Sequence, residues 1–101
     1  MTMNMKQIRA VVTVVGHDTV GIIASVSEIL KRNKINILDI SQSVLGDYFA
    51  MVMLIDITSV YAQDTAVSFN EIVNKLDECG KGMGLKIHTM HEEIFNTMHE
   101  I

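Results

Sequence analysis

Apolar and polar positions along the chain fall into alternating stretches of strand-like and helix-like period. Over Gln7–Val15, Ile8, Ala10, Val12 and Val14 alternate with Arg9, Val11, Thr13 and Val15. β-Branched residues dominate there, so the segment reads as a strand. Gly16-His17-Asp18-Thr19 interrupts it. Helical spacing follows in Val20, Ile23, Val26 and Ile29 or Leu30, with a basic end at Lys31-Arg32 and Asp18 or Thr19 as the expected N-cap. Alternation returns from Ile35 to Leu45, with Leu38, Ile40 and Val44 on one parity and Ile37, Asp39, Ser41 and Ser43 on the other. Gly46-Asp47 signals a hairpin turn, and Tyr48–Ile57 is an intensely apolar second strand. Ser59–Gln63 reads as a connector. A capping box at Ser68 and Glu71 opens a second helix that buries Phe69, Ile72, Val73 and Leu76 and stops at Gly80, Gly82 and Gly84. Leu85–Met90 is the last strand. His91–Ile101 is a short amphipathic tail with Ile94, Phe95 and Met98 on one stripe.

The order is β-α-β-β-α-β plus a helical tail. With right-handed crossovers it gives an α+β, ferredoxin-like βαββαβ sandwich. Its antiparallel four-stranded sheet has the first and third strands in the centre and two helices on one face. The chain reads as a single domain over residues 1–101, with a core of about 7–91 and a C-terminal tail of 92–101. A sheet covered on one face should be polar on the other. The edge strands comply, with Ser41, Ser43, Lys86 and His88. The central strands are apolar on both faces: Val11, Thr13 and Val15 oppose Ala10, Val12 and Val14, while Phe49, Met51, Met53 and Ile55 oppose Ala50, Val52 and Leu54. Such a face asks for a cover. A second subunit, the tail folding back, or both would supply it.

Composition narrows the classes further. The chain of 101 residues has a formal net charge of −4 and one cysteine, which excludes an internal disulfide framework and any four-cysteine metal site. Mild acidity (pI ≈ 5.4) with scattered basic residues argues against a nucleic-acid partner. The longest apolar run, Tyr48–Ile55, is far short of the ~20 residues of a membrane helix, so no membrane partner is expected. The start of the chain has no apolar core of a secretory signal, and a cytoplasmic location is expected. Because this fold hosts many functions, its members must be separated by their sites. The third strand offers Phe49 but otherwise methionine, valine and leucine, against the stacking aromatics of an RNA-recognition module. The first loop has neither the paired cysteines of a soft-metal chaperone nor the arginine of an acylphosphatase-type hydrolase.

What remains is the stretch from Val14 to Leu30, Val-Val-Gly-His-Asp-Thr-Val-Gly-Ile-Ile-Ala-Ser-Val-Ser-Glu-Ile-Leu, followed by Asn33-Lys34-Ile35-Asn36-Ile37. It resembles the ACT domain, the small regulatory module of amino-acid metabolism. Asp18, Gly21, Ile23, Leu30, Asn36 and Ile37 match the family pattern over roughly residues 7–91. Val20 departs from it, standing where the family often has proline. The tail from His91 to Ile101 resembles the ending of a group of small free-standing ACT proteins related to the glycine-cleavage repressor type. Resemblance to this family implies a ligand at the first strand–helix loop, often in a cleft between two subunits.

The residues of the loop support such a site in their own right. A helix N-terminus favours a carboxylate, and Gly16 and Gly21 leave the backbone open to a small molecule. Asp18 can hold an ammonium group, His17 can meet a carboxylate, and Asn36 can donate and accept at the second strand. Gly16, His17, Asp18, Thr19, Val20, Gly21, Ile22 and Asn36 are therefore the candidate ligand-binding set for a zwitterionic amino acid. A second reading stays open, in which Asp18 only caps the helix, Gly21 only lets helix and sheet pack closely, and Asn36 only shapes a turn.

Four histidines (17, 88, 91 and 99) raise a metal reading, with His91, Glu92 and a neighbour's His99 as one convergence. On a strand, however, His88 and His91 point to opposite faces. Cys79 reads as a small core residue rather than a nucleophile. No triad, carboxylate pair or phosphate loop can be assembled, so neither catalysis nor a cofactor is expected. The sequence thus supports a non-enzymatic regulatory module, a homodimer with a small amino-acid ligand and an unidentified protein partner. The alternatives are an interaction module with no small ligand and a histidine-dependent metal binder.

Overall fold

The structure is a computed structural model that describes residues 7–17, 21–62 and 68–98. Its elements run β1 (Arg9–His17), α1 (Ile22–Arg32), β2 (Asn36–Leu45), β3 (Tyr48–Asp56), α2 (Thr58–Ala62), α3 (Phe69–Met83), β4 (Lys86–His91) and α4 (Glu92–Met98). The four strands form one antiparallel sheet in the order β2-β3-β1-β4, so the first and third strands are central as the crossovers require. Both the sandwich and its helical tail are therefore as the sequence pattern implies.

The core lies between the sheet and the pair α1 and α3. Val12 pairs with Met53 and Val14 with Met51, and a direct cross-strand pair shares one face. Ala10, Val12, Val14, Phe49, Met51, Met53 and Ile55 thus point together toward the helices, and all are buried. Helix α1 answers with Ile22, Val26 and Leu30, and α3 with Ile72 and Leu76. These spacings place each set on one helical stripe.

Several local expectations are revised. The N-cap residue of α1 is Gly21, in the left-handed conformation at φ 92°, while the expected caps Asp18 and Thr19 lie outside the described residues. The connector after β3 holds a short helix, α2, opened where Thr58 N–H donates to Asp56 Oδ1 at 2.9 Å. Ser68 does cap α3, its side chain accepting from Glu71 N–H at 3.2 Å. The helix then runs through Gly80 and Gly82 and stops only at Gly84, in the left-handed conformation. A bulge between Ile37 and Asp39 makes Ile37 the partner of Ile55 and Asp39 that of Leu54. Ile37 thereby joins Ile40 and Val44 on the core side, against simple alternation.

The end of β3 carries a pH-sensitive contact. Thr58, through its side chain and its backbone N–H, holds the Asp56 carboxyl below its ordinary value of 3.8, aided by Gln7 Nε2 at 3.2 Å and by Arg9. A carboxyl depressed in the folded state contributes stability above its unfolded pKa, and that contribution is lost as pH falls through the folded value. An Asp56→Asn chain should therefore lose less stability on acidification below about pH 4 than the parent. Urea midpoints along a pH series would check this, and parallel acid limbs would refute it.

Candidate functional site

The first strand ends at His17 and the first helix begins at Ile22 with Gly21 as its N-cap, so the chain itself holds this end of the sheet and the start of α1 together. Among the described residues no side chain caps α1, and its first turn carries no acidic residue. Its leading N–H groups and the positive end of its dipole are thus uncompensated by the chain's own side chains among the described residues. Gly21 keeps its φ of 92° only because it lacks a Cβ, and nothing within 4 Å would meet one. Its side is open.

Gly16 is different. A Cβ there would collide with the Leu85 side chain and lie 3.3 Å from Leu85 Cα. Its missing side chain lets β1 pass the start of β4, so it serves packing rather than ligand approach. Ile22 is buried in the core and can serve a ligand only through its backbone N–H. His17 pairs with Tyr48 across β1 and β3, and the two rings stack at 5.1 Å with 24° between their planes. Tyr48 was not legible as a site residue. It follows the Gly46-Asp47 turn, and only the register places it against His17.

The structure brings Gly16, His17, Gly21 and Ile22 to one end of the sheet. Asp18, Thr19 and Val20 lie outside the described residues. Asn36 is not brought to them within one chain: it pairs with Asp56, which pairs with Arg9, at the far end of β1 from His17. Eight strand residues at ~3.3 Å each put it roughly 26 Å away. There Asn36 lines a separate cleft of about 390 Å³ with Ser27, Lys31 and Lys34.

The remaining candidate groups are engaged elsewhere. His91 Nε2 lies 2.7 Å from Tyr61 Oη, and its ring lies 4.3 Å from that of Phe69. Glu92 pairs with Arg9 at 2.9 Å. His88 and His91 sit on opposite faces of β4, opposite Thr13 and Ala10. His99 lies outside the described residues. Among the described residues no three His, Cys, Asp or Glu side chains are placed to hold a metal ion. Burial pushes the Cys79 thiol up, which keeps it protonated at neutral pH and weakens it as a nucleophile.

A βαββαβ sandwich whose first helix starts at a left-handed glycine defines a class of small domains, and comparison with known proteins makes it specific. The family model for the ACT domain matches residues 9–90, and the chain belongs to the ACT domain family. It is 47% identical over 93 residues to a UPF0237 protein of Clostridium acetobutylicum, spanning 92% of this chain and 99% of that one. Its structure matches an ACT domain protein from Streptococcus pneumoniae with a TM-score of 0.69 and 33% identity, over 89% of this chain and 96% of that one. A proposed glycine cleavage system transcriptional repressor shares the fold, with a TM-score of 0.67 at 22% identity over 84% of this chain and 46% of that one. Among the described residues, no helix is long and apolar enough to cross a membrane.

Proposed function

We propose that this ACT domain is a non-enzymatic regulatory module, a homodimer that senses an amino acid or similar small ligand at the loop between β1 and α1. The observation that carries the reading is the start of α1, which among the described residues has no side-chain cap, no acid in its first turn and the bare Gly21 beside it. A ligand carboxylate there meets free N–H groups and a favourable dipole. His17, held against Tyr48, stands at the end of the adjoining strand, and Asp18 follows it in the sequence with a charge suited to an ammonium group. Likeness to a proposed transcriptional repressor supports a regulatory role. Ligand occupancy would bias one packing of the dimer over another and so reach a protein partner.

A second reading, an interaction module with no small ligand, draws on the partly uncovered sheet face. Thermal unfolding of the full chain against the common amino acids, with one chelator and one divalent-metal well, separates the two. A ligand present at a hundredfold its dissociation constant adds ~2.7 kcal/mol and raises the midpoint by several degrees. The sensor reading expects such a shift with one amino acid and its loss on Asp18→Ala. No shift with any amino acid would sink it in favour of the interaction module, and a shift only with metal, reversed by chelator, in favour of a histidine site.

A further inference from the structure

We infer that the free edge of β4 is a docking site for an extended acidic segment of another protein, which adds to the sheet as one more strand and sets carboxylates against Lys86 and His88. The inference gives a place to the protein partner of the proposed function. It rests on that partner alone and needs no small ligand.

β4 stands at the margin of the sheet and pairs with β1 on one flank. Among the described residues no backbone group bonds its other flank. In an antiparallel ladder every second residue turns its N–H and C=O away from the neighbour. Half of β4 is thus a ready template for a further strand. The opposite margin, β2, suits one less well. Its pairing with β3 shifts at Ile37/Asp39, and a bulge twists an edge away from a straight partner. The register of β4 on β1 runs without a break from Lys86 to His91.

Beside that edge a cleft of about 450 Å³ is lined by Asp77, Lys81, Leu85, Lys86, Ile87 and His88. On a chain of net charge −4, it gathers two lysines and a histidine against one aspartate. Lys86 and His88 are exposed, and among the described residues neither side chain has an ion-pair or hydrogen-bond partner. Lys81 meets Asp77 at 3.2 Å with its side chain 76% exposed, and so exposed a pair exchanges one carboxylate for another at little cost. The negative end of α3 is blunted, because Gly80 O and Lys81 O accept from the N–H groups of Leu85 and Gly84. Ile87 is buried on the helix side of β4, so its neighbours Lys86 and His88 face the other side. A strand laid on this edge therefore sets two alternate side chains beside Lys86 and His88 and the one between them on the side of α3. Glutamate or aspartate suits the first two positions and a β-branched residue the third.

Charge also decides against a second copy at this edge. β4 reads Lys-Ile-His-Thr-Met-His and holds no acid, so β4 laid on β4 gives neither Lys86 nor His88 an opposite charge. A lysine on an edge guards against such pairing, and the same lysine attracts an acidic strand.

The probe is a short fluorescein-labelled peptide of alternating glutamate and valine, titrated with the full chain at low ionic strength and read by anisotropy. Saturable binding is expected, with the lysine–valine counterpart bound about tenfold more weakly. Lys86→Glu should weaken the glutamate peptide about tenfold and reverse the preference. Lys31→Glu, the same charge change in the cleft beside Asn36, should leave the affinity within about twofold. Two further peptides, N-methylated at alternate residues in opposite phase, separate strand addition from charge alone. Only the one whose methyl groups face β4 should lose binding. Amide hydrogen exchange should slow at alternate β4 residues when the glutamate peptide is bound. The inference is overturned by no saturable binding, by undiminished binding to Lys86→Glu chains of unaltered circular dichroism, by an equal loss in Lys31→Glu, or by one affinity for both methylated peptides. Protection of every β4 amide in the free chain also overturns it, because a second copy would then already hold the edge. None of these outcomes bears on ligand sensing, and the lack of a thermal shift with amino acids would leave this edge standing.

Discussion

A Gly80→Val chain should unfold with about 3 kcal/mol less free energy than the parent, the upper end of what overpacking costs. A Cβ at this position would lie 2.8 Å from Ile87 Cγ1 and 2.9 Å from the carbonyl oxygen of Leu85. The side-chain neighbour can give way, but the carbonyl belongs to the backbone. Leu85 N–H also donates to Gly80 O at 2.8 Å, tying the end of α3 to the start of β4. Valine adds two methyl groups to that contact, so the helix must lift and the tie must stretch. For a domain of this size the loss corresponds to a fall of ~10 °C or more in the midpoint. Thermal and urea unfolding would measure it, and a loss under about 1 kcal/mol would show that α3 slides freely on β4.

Leu76→Ala should cost about 2–5 kcal/mol through a different mechanism. Leu76 is fully buried at the middle of the α3 stripe, one turn after Ile72 and one turn before Gly80. Truncation removes apolar contacts and leaves a cavity that the helix, held at its end by Leu85, closes only in part. Set against the 5–15 kcal/mol typical of a folded domain, this is a large share. The urea midpoint should fall while the slope of the transition stays constant. A changed slope would instead mean that the folded or unfolded state had altered its compactness. Because Leu76 and Gly80 share one interface, the double variant should not be additive.

Strand order was readable because alternation, the Gly46-Asp47 turn and helical spacing all agree along the chain. The uncovered centre of the sheet was readable for the same reason: Val11 and Val15 break the polar half of the alternation. Features set by contacts between distant segments were not. Gly80 looks like a helix stop, and its true partner, the carbonyl of Leu85, is visible only once α3 lies on β4. The bulge at Leu38 moves Ile37 to the core face without any glycine to announce it. Helix α2 has only five residues, too few for a period, and rests on the Asp56–Thr58 turn. Among the candidate site residues, partnership was not legible. Asn36 belongs to the opposite end of the sheet, and Tyr48 meets His17 only through register.

The pairing of the first strand with the last has a consequence for how this protein is made. Of the described elements β1 is synthesised before the others, yet one of its two edges is completed only by β4, after α3 has been synthesised. The hairpin of β2 and β3 is made before β4 and is available to β1 earlier. Until β4 arrives, the outer edge of β1 stays open and Val12 and Val14 lack their neighbours Thr89 and Ile87. That interval, the stretch from Asp56 to Lys86 made at about 5–20 residues per second and so lasting a few seconds, is when the growing chain most invites pairing with another copy of itself, and α4, which follows β4, packs against the same strand.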